Sequence, residues 1–291
     1  MLFSKKRYDI VACRYIDDAV SCGLLKYASK LVIDVDDNPV NAYKRDMSNR
    51  QIRFPWSKFL ALWQAYSLGI MSKLLLKKIK CSFYSNILEP PYKKSVFLHN
   101  VTTLREQITE ITENTPKRIL VVGWLDFFPN RNGVLCFVEK NFPLIKSAVP
   151  DAQLYVVGKC KDNNLLSKLN RIEGVKALGF VENVVKEYQN CRVIIVPIYQ
   201  GAGSSVKFVE GLMMKRPMVS TTMGARGFDK ICLEGEHYLL ANSDEQFAKN
   251  VIALLESVSI SNTIAQAAYE VGKTNFSHER FCEIVKETIK L

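Results

Sequence analysis

The segment "RVIIVPIYQGAGSSVKFVEGLMMKRPMVSTT", residues 192–222, decides how the rest of the chain is read. An apolar run, "VIIVP", leads into a loop with Gly201 and Gly203, then two serines and a helical pattern holding Lys207 and Glu210. A second apolar run, "PMVSTT" (217–222), follows. Two short β-branched runs joined by an amphipathic stretch are the pattern of a βαβ unit with buried parallel strands. The glycines let the backbone turn tightly and approach a ligand, and Ser204 or Ser205 is placed to cap the helix. The unpaired N–H groups of that first turn point beyond the carboxyl edge of the sheet, a geometry suited to phosphate. Lys207 adds positive charge in the first turn, and Glu210 stands where a carboxylate can accept hydrogen bonds from a ribose diol. An ordinary glycine-rich βα loop with a solvated glutamate fits the same residues. Neither GxGxxG nor GxxxxGK[ST] occurs, which disfavours a dinucleotide oxidoreductase or a P-loop enzyme.

The alternation extends on both sides. Strand patterns fall at "RILVVGWL" (118–125), "AQLYVVGK" (152–159), "VKALGFV" and "HYLLA" (237–241). Helical patterns fall at about 134–148, 163–171, 244–256, 261–273 and 278–290. Regular β-α-β alternation predicts an α/β fold with a doubly wound parallel sheet, whose ligands bind at the carboxyl ends of the strands. That rule selects the loops after Val122, Val157, Val181, Pro197 and Thr222.

The first third shows a shorter version of the pattern, with strand-like "YDIVACRY", "KLVIDVDD", "KCSFYSN" and "KSVFLHN". A long helix is expected over about Trp56–Lys80, with Lys73, Lys77, Lys78 and Lys80 near its end, where cations suit the dipole. The polar stretch 103–118 reads as a linker. Three parts follow: an N-terminal Rossmann-like domain (1–105), a second domain (106–277) and a C-terminal helix (278–291) that packs back toward the first.

The 291 residues are 48% hydrophobic and 24% charged, as in a globular protein. Eight dispersed cysteines without a CxxC read as reduced thiols of a cytoplasmic protein, and three scattered histidines predict no metal site. The N-terminus lacks the long apolar core of a signal peptide, and the most apolar long stretch, 59–76, is interrupted by Gln64 and Lys73. Residues 1–105 carry 18 Lys/Arg against 8 Asp/Glu, and the remainder 22 against 21. The net charge of +11 is therefore almost all on the first third, which suits a polyanionic partner or simply a soluble basic face. Nucleic acid is a weak expectation, since the basic residues form no stripe or known motif.

The stretch "GAGSSVKFVEGLMMKRPMVSTTMGARGF" resembles the donor-site signature of retaining GT-B glycosyltransferases of glycosyltransferase family 4, the glycosyl transferases group 1. "VVGWLDFFPNRNGVLCFVEKNFPLIKSAVPDAQLYVVGK", "VKALGFVENVVKEYQNCRVIIVPI", "EGEHYLLANSDEQFAKNVIALLE" and "TNFSHERF" are similar to further landmarks of that family, in the same order. The resemblance runs continuously over about 118–285 and is weaker before Arg118. It implies a GT-B-like fold of two Rossmann-like, doubly wound parallel-sheet domains, the N-terminal one incomplete because only about 105 residues precede the linker.

The resemblance also implies roles. Glu210 would hold the ribose, and Gly203, Ser204 and Ser205 the pyrophosphate and sugar. Gly123 would shape the loop against the phosphates, and Phe180 and Val181 would flank the base. Lys207 and Arg131 would stabilise the departing diphosphate in a catalytic role, without a metal or other cofactor. Asp34, Asp36 and Asp37 would line the acceptor side, although a helix-capping acidic turn fits them equally. Ala202 stands where the family carries the first of its paired glutamates, Ser205 where the subgroup has arginine, Arg226 in place of a glutamate, and Asn132 near where related enzymes often carry a phosphate-binding lysine.

The leading expectation is transfer of a sugar, with retention, from a nucleotide-diphosphate donor to a glycan or lipid-linked acceptor in surface polysaccharide synthesis. The alternative is a weakly active or inactive nucleotide-sugar-binding subunit, or one part of a split glycosyltransferase. The stripe Trp56, Phe59, Trp63 and Tyr66 with its lysines fits either a helix facing an anionic membrane at its inner face or a core helix.

Overall fold

Every strand pairing among the described residues is parallel, as near-continuous apolar strands require. The computed structural model describes residues 8–15, 22, 24, 28–36, 59, 60, 63, 66, 67, 70, 79–85, 95–102, 104, 108–201 and 205–289. The chain divides into two units, Met1–His99 with Phe281–Leu291, and Asn100–Arg280.

The first unit holds β1 (Tyr8–Arg14), β2 (Ala28–Asp36), β3 (Ile79–Tyr84) and β4 (Ser95–Phe97), neighbours in that order. Side chains alternate across β2, so Leu31, Ile33 and Val35 pack on one face and Val32 on the other. Val32 joins Cys81, Phe83 and Leu98, covered by Phe281, Ile284, Val285 and Ile289 of the C-terminal helix His278–Ile289. The helix expected over Trp56–Lys80 overruns: Ile79 and Lys80 open β3. Lys80 Nζ instead donates to the Ile289 carbonyl, 2.6 Å away, at the end of the C-terminal helix. Residues 59, 60, 63, 66, 67 and 70 are helical, whereas Trp56, Lys73, Lys77 and Lys78 lie outside the described residues. Phe59, Trp63 and Tyr66 are more than 60% exposed (63%, 62% and 68%), which does not fit a core helix.

The second unit holds β5 (Arg118–Val122), β6 (Gln153–Val157), β7 (Val175–Gly179), β8 (Val193–Val196), β9 (Met218–Thr221) and β10 (Leu239–Ala241). Their spatial order is β7-β6-β5-β8-β9-β10. The chain builds outward one way from β5, then returns beside it with β8 and builds the other way. This is the Rossmann order, and it opens a crevice at the carboxyl ends of β5 and β8.

Helices cover both faces. They are α1 (Phe128–Cys136), continued by a π-helical turn (Phe137–Asn141) into α2 (Phe142–Ala148), then α3 (Asn163–Asn170), α4 (Val184–Gln189), α5 (Val206–Met213), α6 (Asp244–Glu256) and α7 (Val258–Phe276); the C-terminal helix is α8. Ile119, Val121, Val193 and Ile195 pack with Phe137, Phe142 and Phe247 on one face; Leu120, Ile194 and Met218 pack with Phe208, Leu212 and Phe276 on the other. The first helix begins six residues before Val134, where the sequence pattern had started it, because Pro129 sits in its first turn rather than breaking it.

Two buried arginines tie down the segment before β5. Arg192 donates to the carbonyls of Thr112, Glu113, Thr115 and Leu255. Arg216, with no exposed surface, donates to the carbonyls of Thr109, Tyr188, Gln189 and Lys215 and to the Thr109 hydroxyl. Arg216 lies three residues past the end of α5, after the cap Met214 and Lys215, which takes a left-handed φ of 52°. The N–H of Arg216 bonds Gly211 O and that of Lys215 bonds Leu212 O, a Schellman ending with lysine in the usual glycine position. No single helix among the described residues is long and apolar enough to cross a membrane.

Candidate functional site

Three adjacent strands finish on glycine-rich backbone. The N–H of Gly123, just past β5, bonds Val157 O at 2.9 Å, and that of Gly158, just past β6, bonds Gly179 O at 2.8 Å. Gly158 has φ +147°, and a Cβ there would lie 1.9 Å from Gly123 O. Only glycine allows the loops after β5 and β6 to come this close. Across the crevice, a Cβ on Gly133 of α1 would lie 1.8 Å from Pro197 O, so α1 rests on the end of β8.

A small cleft opens at the strand reversal, lined by Val121, Val122, Gly123 and Leu125 from β5 and its loop, Asn130 and Val134 from α1, Pro197 and Ile198 after β8, and Lys207 from α5. The sequence-predicted Gly123 and Lys207 meet here: a Cβ on Gly123 would lie 3.2 Å from Lys207 Nζ and 2.9 Å from Asn130 Nδ2. Asn130 joins them. Its Nδ2 donates to Trp124 O at 3.0 Å, and its Oδ1 accepts from Lys207 Nζ at 2.5 Å. The ammonium's hydrogen-bond partner is thus a neutral amide. Burial pulls the Lys207 pKa down to about 8, with Glu210 pulling the other way.

Glu210 lies one turn further along α5. Its Oε2 accepts a 2.7 Å bond from the hydroxyl of Tyr188, a fully buried residue of α4. Burial raises the carboxyl pKa, and the Tyr188 bond and Lys207 charge oppose that rise. Ser205 is the N-cap of α5 in extended conformation, but its side chain makes no capping bond. Its Oγ is buried and has no hydrogen-bond partner among the described residues. Gly203 and Ser204 lie outside those residues.

The other predicted residues are elsewhere. Arg131 pairs with Asp162 at 2.6 Å rather than joining Lys207; Asp162 in turn caps α3. Phe180, after β7, is 72% exposed, while Val181 packs against the core. In the first unit Asp34 lies 3.7 Å from Arg14 near the carboxyl end of β2; Asp36 closes that strand, and Asp37 is outside the described residues. Among the described residues no group of three or more His, Cys, Asp or Glu is placed to hold a metal. Asn130 and Tyr188 are the site residues that sequence reasoning missed. The one available signal for Asn130 was the pairing of Pro129 with a helix first turn.

Known proteins share this fold. The chain has a GT-B glycosyltransferase fold. It superposes on sucrose-phosphate synthase from Thermosynechococcus elongatus with TM-score 0.71 and 15% identity, over 97% of this chain and 73% of that one. Anabaena HepE in complex with UDP-glucose gives 0.67 and 12%, over 98% and 79%. Residues 116–257 match the family described as glycosyl transferases group 1. A curated relative, an uncharacterized 44.6 kDa protein in the cps region of Klebsiella pneumoniae, is 28% identical over 178 residues, 58% of this chain and 45% of that protein. The match thus spans less than half the length of that relative.

Proposed function

We propose that the protein transfers a sugar from a nucleoside-diphosphate donor to a glycan or lipid-linked acceptor, retaining the anomeric configuration and using no metal, in surface polysaccharide synthesis. The observation that carries this reading is Lys207. A buried ammonium, bonded to a neutral amide and lining a cleft at the strand reversal, calls for an anion, and the nearby Glu210 carboxylate is suited to hydroxyl donors. Lys207 would neutralise the departing diphosphate, Ser205 with Gly203 and Ser204 would hold its oxygens, Glu210 the ribose, and Phe180 and Val181 the base. Arg131 joins the phosphates on exchanging Asp162 for them. The HepE complex with UDP-glucose and the cps-region relative support the donor class and the polysaccharide setting.

The exposed stripe Phe59, Trp63 and Tyr66, on the unit whose sequence carries the excess positive charge, supports peripheral attachment to an anionic inner membrane face, with Asp34, Asp36 and Asp37 on the acceptor side. Vesicle flotation at low and moderate salt tests the attachment; equal flotation with and without anionic lipid rejects it. A second reading, binding without turnover, rests on Arg131 being engaged by Asp162, which leaves Lys207 as the one cation lining the cleft among the described residues.

Calorimetric titration with uridine, guanosine and thymidine diphosphates, followed by donor-hydrolysis assays with and without EDTA, separates these readings. Binding with EDTA-resistant turnover is the expected result. Binding without turnover favours the second reading, and no binding by any of the three rejects both. Glu210→Ala is expected to weaken nucleotide binding in a folded protein; unchanged affinity removes Glu210 from the site.

A further inference from the structure

We propose that Tyr188 is a positioning residue for the nucleoside half of the donor, holding the Glu210 carboxylate so that one oxygen is committed to the protein and the other is presented to the ribose. This rests on the donor-site reading above and adds a residue to it. Tyr188 contributes no surface to solvent, yet its hydroxyl reaches out of an apolar cluster of Leu120, Val185, Ile194 and Phe208 to bond Glu210 Oε2. A buried hydroxyl needs such a partner. Here the partner is an acid whose other oxygen carries the proposed ligand contact.

The tyrosine is itself held from behind. Arg216 Nε donates to Tyr188 O at 2.8 Å and Arg216 Nη2 to Gln189 O at 2.8 Å, so the guanidinium closes the carboxyl end of α4. Because Arg216 leaves α5 through the Schellman ending, one side chain ties the end of α4 to the end of α5. The Tyr188 hydroxyl ties the same two helices together one turn earlier, at Glu210. The carboxylate therefore has its rotamer fixed before a ligand arrives, which lowers the ordering cost of binding.

The charged and titratable groups facing Glu210 are Tyr188 from α4 and Lys207 from its own helix, with Cys191 beside the tyrosine. Removing the hydroxyl withdraws a bond that favours the ionised carboxylate, so Glu210 will protonate at higher pH.

The experiment is calorimetric titration of wild type, Tyr188→Phe, Glu210→Gln and the double variant with uridine diphosphate and with inorganic pyrophosphate across pH 5–8. Tyr188→Phe is expected to weaken uridine diphosphate binding about tenfold and leave pyrophosphate binding unchanged, which also reports an intact fold. The acid limb of the uridine diphosphate profile should move to higher pH, and the double variant should bind no more weakly than Glu210→Gln. If Glu210→Gln weakens uridine diphosphate binding but Tyr188→Phe changes neither affinity nor the acid limb, the positioning role is wrong while the donor-site reading stands. Equal weakening toward both ligands also overturns it, since the effect is then structural. If wild type binds neither probe, the donor-site reading fails and Tyr188 loses its role with it.

Discussion

Lys207 Nζ donates to Asn130 Oδ1 beneath the backbone of Gly123, so the cation of the cleft is paired with an amide that cannot take up its charge. With the pKa pulled down by burial to about 8, the ammonium is present below that pH and is lost as pH rises through it. Affinity for inorganic pyrophosphate should therefore fall across roughly pH 8, and binding near that pH should draw a proton from the buffer. Calorimetry in buffers of different ionisation enthalpy reads the uptake directly. Lys207→Met should remove both the uptake and the pH limb and weaken pyrophosphate about tenfold or more.

Gly158→Ala tests the closure of the glycine edge. The added Cβ would meet Gly123 O at 1.9 Å on a backbone with φ +147°, and neither atom belongs to a flexible side chain. A stability loss of about 2 kcal/mol or more, seen as a lower denaturant midpoint, is expected. Gly235→Ala is the comparison. Its φ of +80° carries similar backbone strain, but a Cβ there would meet nothing within 4 Å, so its loss should be clearly smaller.

Arg216→Lys should destabilise by about 3 kcal/mol in denaturant titration, because one ammonium cannot reach the set of carbonyls that the planar guanidinium joins. Stability equal to wild type would show that those carbonyls find other partners.

Phe180→Ala should leave stability within about 0.5 kcal/mol, since the ring is 72% exposed. If the ring stacks on a base, the variant loses affinity for uridine diphosphate and not for pyrophosphate. Equal affinities for wild type and variant would place the base elsewhere.

The second unit was legible because its strands are buried on both faces, so Ile119–Val122 and Val193–Val196 appear as apolar runs with few alternatives. The start of α5 at Ser205 and the choice of the loop after Val122 followed from the βα grammar, but the absence of a capping bond from the Ser205 side chain did not. The overrun to Lys80 has a plain cause. No glycine or proline interrupts residues 71–80, and the apolar spacing there suits a helix as well as a strand. Tyr188 was beyond reach, and Asn130 legible only as a residue of a helix first turn beside Pro129, for another reason. Their partners lie 22 and 77 residues away, and no local pattern encodes which buried hydroxyl or amide a distant helix will bring alongside. Arg131 shows the converse: a cation expected to face the phosphates is engaged by Asp162, a pairing that only the fold reveals.

The way Arg192 and Arg216 hold the segment from Thr109 to Thr115 has an evolutionary consequence. Apart from the Thr109 hydroxyl, every acceptor they use there is a main-chain carbonyl, which any amino acid supplies. The two sides of this attachment are therefore under unequal selection. Apart from the buried Ile111, the strap is free to drift in composition so long as its length and path are kept, while the two arginines are bound to stay. In a deep mutational scan the seam should appear as a run tolerant except at Ile111, set against two intolerant positions far along the chain.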